Sequence, residues 1–130
     1  MVLAMKILIV EDSKAIAQLQ TFIIQTDNDL SFEINHALLV EEGLKLNEQI
    51  KPDLLILDLN FPDSSIEKTI EKIPSFKTYA RFVIVASGHD DPAIEQQVID
   101  KGADKFIHKN SFSFSNREGI QRLINQLLSN

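Results

Sequence analysis

Apolar positions along the chain follow two alternating patterns. Lys6–Val10 (KILIV), Leu54–Leu57 (LLIL) and Phe82–Ala86 (FVIVA) are short, almost wholly apolar runs rich in branched residues, the pattern of strands covered on both faces. Phe32–His36 (FEINH) alternates apolar and polar residues, and Lys105–His108 (KFIH) is mixed, so both read as less buried strands. Between these runs the period changes to that of a helix. From Ser13 to Thr26, Ile16, Leu19 and Ile23 form an apolar stripe that Ala15 and Phe22 widen, and Asp27-Asn28-Asp29 is expected to stop the helix. Leu39, Gly43, Leu46 and Ile50 mark a second helix, ended by Lys51-Pro52. Ile66, Ile70 and Ile73 mark a third, ended by Pro74. Asp91-Pro92 gives a fourth its N-cap and first residue, and Gly102 gives it a left-handed stop. Ser115-Asn116-Arg117-Glu118 has the form of a capping box and opens a last helix, with Ile120, Leu123, Ile124 and Leu127 on one face.

Five repeats of strand then helix imply a parallel sheet with crossover helices. Strands one, three and four are apolar throughout and belong in the centre, while the mixed strands two and five belong at the edges. The expected fold is therefore an α/β doubly wound, flavodoxin-like (βα)5 sandwich with strand order 2-1-3-4-5. Residues 1–130 read as one domain, and the chain is too short to close an eight-stranded barrel.

Composition adds exclusions. With 44% hydrophobic residues the chain can bury a core. Thirteen basic against nineteen acidic residues leave a net charge of -6, which argues against direct nucleic-acid binding and against docking on anionic membrane. The absence of cysteine removes disulfides, thiolate nucleophiles and thiolate metal ligands. No apolar run approaches the roughly 20 residues that span a bilayer, and the start lacks the features of a secretion signal, so the expected location is cytoplasmic.

Ligands of a doubly wound sheet bind outside the carboxyl ends of its strands. Strand one ends in Glu11-Asp12, strand three in Asp58, strand four in Ser87 and strand five in Lys109. Taken singly, each has a plain structural use: an acidic pair can cap a turn, a lysine can be a solvated charge, and a serine before glycine can make a turn. Together, three carboxylates in one place repel one another unless a cation lies among them. An all-oxygen ligand set suits a hard ion, Mg²⁺ (or Mn²⁺), that keeps several waters. Metal and Lys109 would neutralise the charge of a phosphoryl group, and Asp58 would be its oxygen nucleophile.

These segments resemble the response-regulator receiver family over nearly the whole chain. Ile7–Ser13 resembles its first strand and acid pair, and Leu55–Asp63 its phosphoacceptor segment, including Pro62. Val83–Gly88 resembles the strand ending in the switch hydroxyl, and Lys101–Lys109 the segment that runs to the family's lysine. The resemblance implies two-component phosphorelay signalling. A histidine kinase or histidine phosphotransfer protein would pass a phosphoryl group to Asp58. Asp12, Asp58 and the Asn60 backbone carbonyl would ligate Mg²⁺, with Glu11 acting through water. Lys109 would pair with the acyl phosphate, Ser87 would hydrogen-bond it, and Phe106 would be the aromatic switch residue. Asn60 and His89 would tune its hydrolysis. The surface of the fourth helix, fifth strand and fifth helix would change for partner docking. Such a chain catalyses its own phosphorylation and dephosphorylation and is not a turnover enzyme.

Several positions depart from the family pattern. Ser64-Ser65-Ile66 stands where glycine often precedes the third helix, Asn110 where proline often follows the lysine, and Glu11 where aspartate is more frequent. His36, His89 and His108 lack metal-ligand spacing; His36 and His108 are expected as polar residues on edge strands. Phe112 and Phe114 are expected to pack their loop onto the domain. Three rival readings remain. A flavodoxin-like binder of flavin or nucleotide phosphate would need a loop of N–H donors where Glu11-Asp12 stands. A haloacid-dehalogenase-like phosphatase would need its nucleophile after strand one, with a second aspartate two residues on. A phosphorylation-independent interaction module would not need all five site residues. No output domain is expected within the chain, which suits a stand-alone receiver or one excised from a longer protein.

Overall fold

The computed structural model describes residues 4–26, 30–89 and 91–129, and the side chains of all of these but Phe114. Five strands, β1 (Met5–Val10), β2 (Phe32–Ala37), β3 (Leu54–Leu57), β4 (Phe82–Ser87) and β5 (Lys105–His108), form one sheet in the order 2-1-3-4-5, and every neighbouring pair is parallel. Among the described residues, five α-helices lie between them and a sixth follows β5: α1 (Lys14–Gln25), α2 (Val40–Ile50), α3 (Ile66–Glu71), α4 (Ile73–Tyr79), α5 (Pro92–Asp100) and α6 (Arg117–Leu128).

The alternation of side chains along each strand divides the core in two. Leu8, Val10, Leu55, Leu57, Val83 and Val85 face α2 to α5, where Val40, Ile70, Ile73, Phe76 and Val98 cover them. Ile7, Ile9, Leu54, Ile56, Ile84 and Ala86 face α1 and α6, where Ile23, Ile24, Ile120, Ile124 and Leu128 cover them. The central strands are therefore dry on both sides, while β2 and β5 are largely half-exposed, as the composition of the runs predicts. Helix α2 approaches the sheet closely at Gly43. A Cβ there would stand 2.8 Å and 3.0 Å from the two methyls of Val10.

Several local expectations change. Pro74 does not end the third helix. It sits in the first turn of α4, where its missing N–H costs nothing, and residues 73–79 form a further helix that supplies Ile73 and Phe76 to the core. The family's fourth and fifth helices are accordingly α5 and α6 here. The buried stripe of α1 is Ala17, Gln20, Ile23 and Ile24, whereas Ala15 is exposed and Phe22 is 50% exposed. Leu39 is the N-cap of α2 and exposed, and the inward face is Val40, Gly43 and Asn47, with Leu46 and Ile50 partly buried. The capping box at Ser115 does not form. A 3₁₀ turn over Phe114–Asn116 shifts the cap to Asn116, and the Ser115 hydroxyl bonds to that of Ser113. Asp91 does cap α5, and Gly102 takes the positive φ that ends it. Phe112 is buried against the α1–α6 layer. Asp27-Asn28-Asp29 lies outside the described residues.

Candidate functional site

Four strands carry the site to one edge of the sheet. β1 delivers Glu11 and Asp12 and β3 delivers Asp58, with the Asp58 N–H bonded to the Val10 carbonyl at 3.0 Å. β4 ends at Ser87 and β5 runs directly into Lys109. One carboxylate oxygen from each of Glu11, Asp12 and Asp58 lies within 4.8 Å of the others. Glu11 is 1% and Asp58 2% exposed, while Asp12 faces solvent.

Lys109 bridges the two buried acids. Its Nζ lies 2.9 Å from Asp58 Oδ2 and 2.9 Å from Glu11 Oε2. Asp58 Oδ1 accepts the Leu59 N–H at 2.7 Å, and Glu11 Oε1 accepts the Ser13 N–H at 3.1 Å. Ser13 also caps α1 through the Ile16 N–H, so the acid pair and the helix start are fixed together. Glu11 Oε2 has the Lys109 ammonium as its partner in a buried ion pair.

The electrostatics follow. Burial, reinforced by the Asp58 charge and the adjoining Asp12, outweighs Lys109 and the Ser13 N–H and pushes the Glu11 carboxyl up to about 7. Burial works to lower Lys109, but its hydrogen bonds to Asp58 and Glu11 and their charges dominate, so its ammonium is held above the usual range. Two negative groups and a third beside them share one cation. A hard divalent ion fits this all-oxygen donor set, because its charge would relieve the repulsion among the acids.

Ser87 is fully buried and its hydroxyl accepts the His89 N–H at 3.0 Å. Asn60 is exposed and its amide lies 3.4 Å from His89 Nε2, so the two residues expected to tune hydrolysis touch each other. Phe106 is half-buried against the α2–α5 layer. Ser64-Ser65 resolves one departure: Ser65 caps α3, accepting the Lys68 N–H, while Ser64 pairs with Phe61 and bonds Thr69.

His36 and His108 lie on the edge strands β2 and β5 as expected, but they and Asp63 make contacts near the site that the sequence does not show. Asp63 caps α2 from a distance, its two oxygens accepting the Val40 and Glu41 N–H groups at 3.3 Å and 3.4 Å. His36 Nε2 donates to the Glu11 carbonyl at 2.8 Å, and His108 links the loops after β4 and β5. Helix α2 lacks a capping side chain of its own, which is the signal that a distant cap was needed.

The model of the response regulator receiver domain matches residues 7–124. The chain belongs to that family and is a receiver domain of two-component signalling. It is similar to the KDP operon transcriptional regulatory protein KdpE of Escherichia coli, 34% identical over 104 residues, which are 79% of this chain and 44% of KdpE. It is also similar to the nitrate/nitrite response regulator protein NarL of Escherichia coli, 31% identical over 70 residues, 53% of this chain and 32% of NarL. The chain thus matches less than half the length of these relatives. Among solved structures, a signal receiver domain from Vibrio parahaemolyticus superposes with a TM-score of 0.80 at 27% identity, covering 98% of this chain and 92% of that one. Among the described residues no helix is long and apolar enough to cross a membrane.

Proposed function

We propose that this receiver takes a phosphoryl group from a histidine kinase or histidine phosphotransfer protein onto Asp58. The observation that carries the proposal is the Lys109 ammonium held 2.9 Å from both Asp58 and Glu11 at the strand ends, with Asp12 beside them. An oxygen of the Asp58 carboxylate attacks the donor phosphorus. The phosphorus–nitrogen bond of the donor imidazole breaks, its nitrogen takes up a proton, and an aspartyl phosphate results. Lys109 is already placed where the added negative charge develops, so its stabilisation requires little rearrangement. Asp12, Asp58 and the Asn60 carbonyl would hold Mg²⁺, with Glu11 acting through water. The ion supplies charge neutralisation between the acids and the incoming phosphoryl group.

Ser87 would then exchange the His89 N–H for a phosphoryl oxygen, and Phe106 would turn inward. The surface of α5, β5 and α6 would change in consequence, a two-state element biased by a local charge event. Asn60 and His89, in mutual contact at the site mouth, would set how readily water reaches the acyl phosphate. The outcome is a signalling domain that catalyses its own modification.

Incubation with acetyl phosphate, with and without Mg²⁺, followed by intact mass measurement tests the proposal. One phosphoryl group is expected, dependent on Mg²⁺ and absent from Asp58→Asn. Equal labelling of that variant, or none of the unaltered protein, refutes it.

A further inference from the structure

We infer that His108 is a positioning residue for Lys109 and for the loop that carries Ser87. The inference rests on the reading of Asp58 as phosphoacceptor. His108 is the last residue of β5 and pairs in register with Ser87 of β4. Its Nδ1 lies 3.1 Å from the Asn110 backbone N, and its Nε2 lies 3.2 Å from the Gly88 carbonyl oxygen. An N–H can only donate and a carbonyl can only accept. Nδ1 must therefore be the acceptor and Nε2 must carry the proton, and one neutral tautomer satisfies both bonds.

The ring is thus a strut with both ends in use. One end caps the 3₁₀ turn Lys109–Ser111, the turn that begins with the lysine. The other grips Gly88, between Ser87 and His89, whose N–H holds the Ser87 hydroxyl. A Cβ at Gly88 would meet nothing within 4 Å, so the backbone there stands beside open space. The residue after Lys109 is Asn110, which leaves its φ free where a proline would fix it. The turn geometry then depends on the side chain one residue before the lysine. By this route His108 sets the height at which the Lys109 ammonium meets Asp58 and Glu11, and ties it to the loop of the hydroxyl that would answer phosphorylation. His108 touches none of the reacting atoms. Its effect is through orientation, where displacements below an ångström change rates severely.

The test uses His108→Leu, which keeps bulk and removes both bonds. His108→Asn keeps a short acceptor suited to the Asn110 N–H, and His108→Gln keeps a donor that reaches toward Gly88. Labelling rates with acetyl phosphate are measured at saturating Mg²⁺, Mg²⁺ affinity by calorimetry without donor, and folding by thermal melts. His108→Leu is expected to label on the order of tenfold more slowly, with Mg²⁺ affinity and melting temperature close to those of the unaltered protein. Either His108→Asn or His108→Gln is expected to recover most of the rate. A His108→Leu rate equal to the unaltered protein's overturns the inference. So does a slowing that merely follows weaker Mg²⁺ binding or unfolding, or failure of both amide variants to recover. If the unaltered protein is never labelled, the phosphoacceptor reading falls, and the placement of Lys109 is still decided by its reaction with an amine-acylating reagent, mapped by peptide mass. Faster acylation of Lys109 in His108→Leu is expected, and equal acylation overturns the positioning role.

Discussion

Replacing Glu11 with glutamine isolates the electrostatic strain of the metal-free site. Glu11 is 1% exposed, and its carboxyl is raised from 4.5 to about 7, first by burial and then by Asp58 and Asp12. Between those two values the folded protein holds a proton that the unfolded chain has released. Stability attributable to this group is therefore fully present below about pH 4.5 and falls as pH rises through about 7. The full span is worth about 3 kcal/mol at roughly 1.4 kcal/mol per pH unit. Glu11→Gln lacks the titrating group. In EDTA, urea unfolding followed by circular dichroism from pH 5 to pH 8 should show the unaltered protein losing roughly 2–3 kcal/mol relative to the variant. Mg²⁺ should reverse the trend, because a cation among the carboxylates favours the ionised form. Its binding should then release nearly one proton at about pH 6 and few at about pH 8, measurable by calorimetry in buffers of different ionisation enthalpy. A stability difference that stays constant across the pH range, or Mg²⁺ binding without proton release at pH 6, would refute this account.

Gly43→Ala should lower stability although alanine favours helices. Contact with Val10 at 2.8 Å and 3.0 Å costs about 1–3 kcal/mol of overpacking, against about 1 kcal/mol gained in propensity, so the melting temperature should fall. Gly119→Ala makes the same chemical change where the obstacle is the end of the exposed Asn116 side chain, whose hydrogen bond to the Ser111 carbonyl must shift, so its melting temperature should fall less than that of Gly43→Ala. Asp63→Ala leaves the first N–H groups of α2 without their cap and should cost about 1 kcal/mol in urea unfolding. No loss there would mean that solvent serves those donors equally well.

The sequence determined the strands and their order, because burial on both faces demands unbroken apolar runs and edge strands do not. It also determined which side chains gather at the strand ends. Glu11, Asp12, Asp58, Ser87 and Lys109 each lie at or just past the carboxyl end of a strand, so one rule of topology brings them together. Helix details were less legible. The phase of α1 is set by what lies across from it, and the layer formed with α6 takes in Gln20 and leaves Phe22 outside, against their hydropathy. Pro74 resembles a stop because local propensity cannot tell the end of one helix from the first turn of the next. Only the tertiary structure decided the contacts between residues distant in sequence. Asp63 caps a helix that begins 23 residues earlier, and His108 joins loops 20 residues apart. The shared charge of Glu11, Asp58 and Lys109 belongs to the same class: chain order supplied the three groups, and packing brought both acids to 2.9 Å from one ammonium. Local pattern governs which residues are buried in strands. Which polar atoms then meet is fixed by packing across the sheet, where residues far apart in the chain become neighbours.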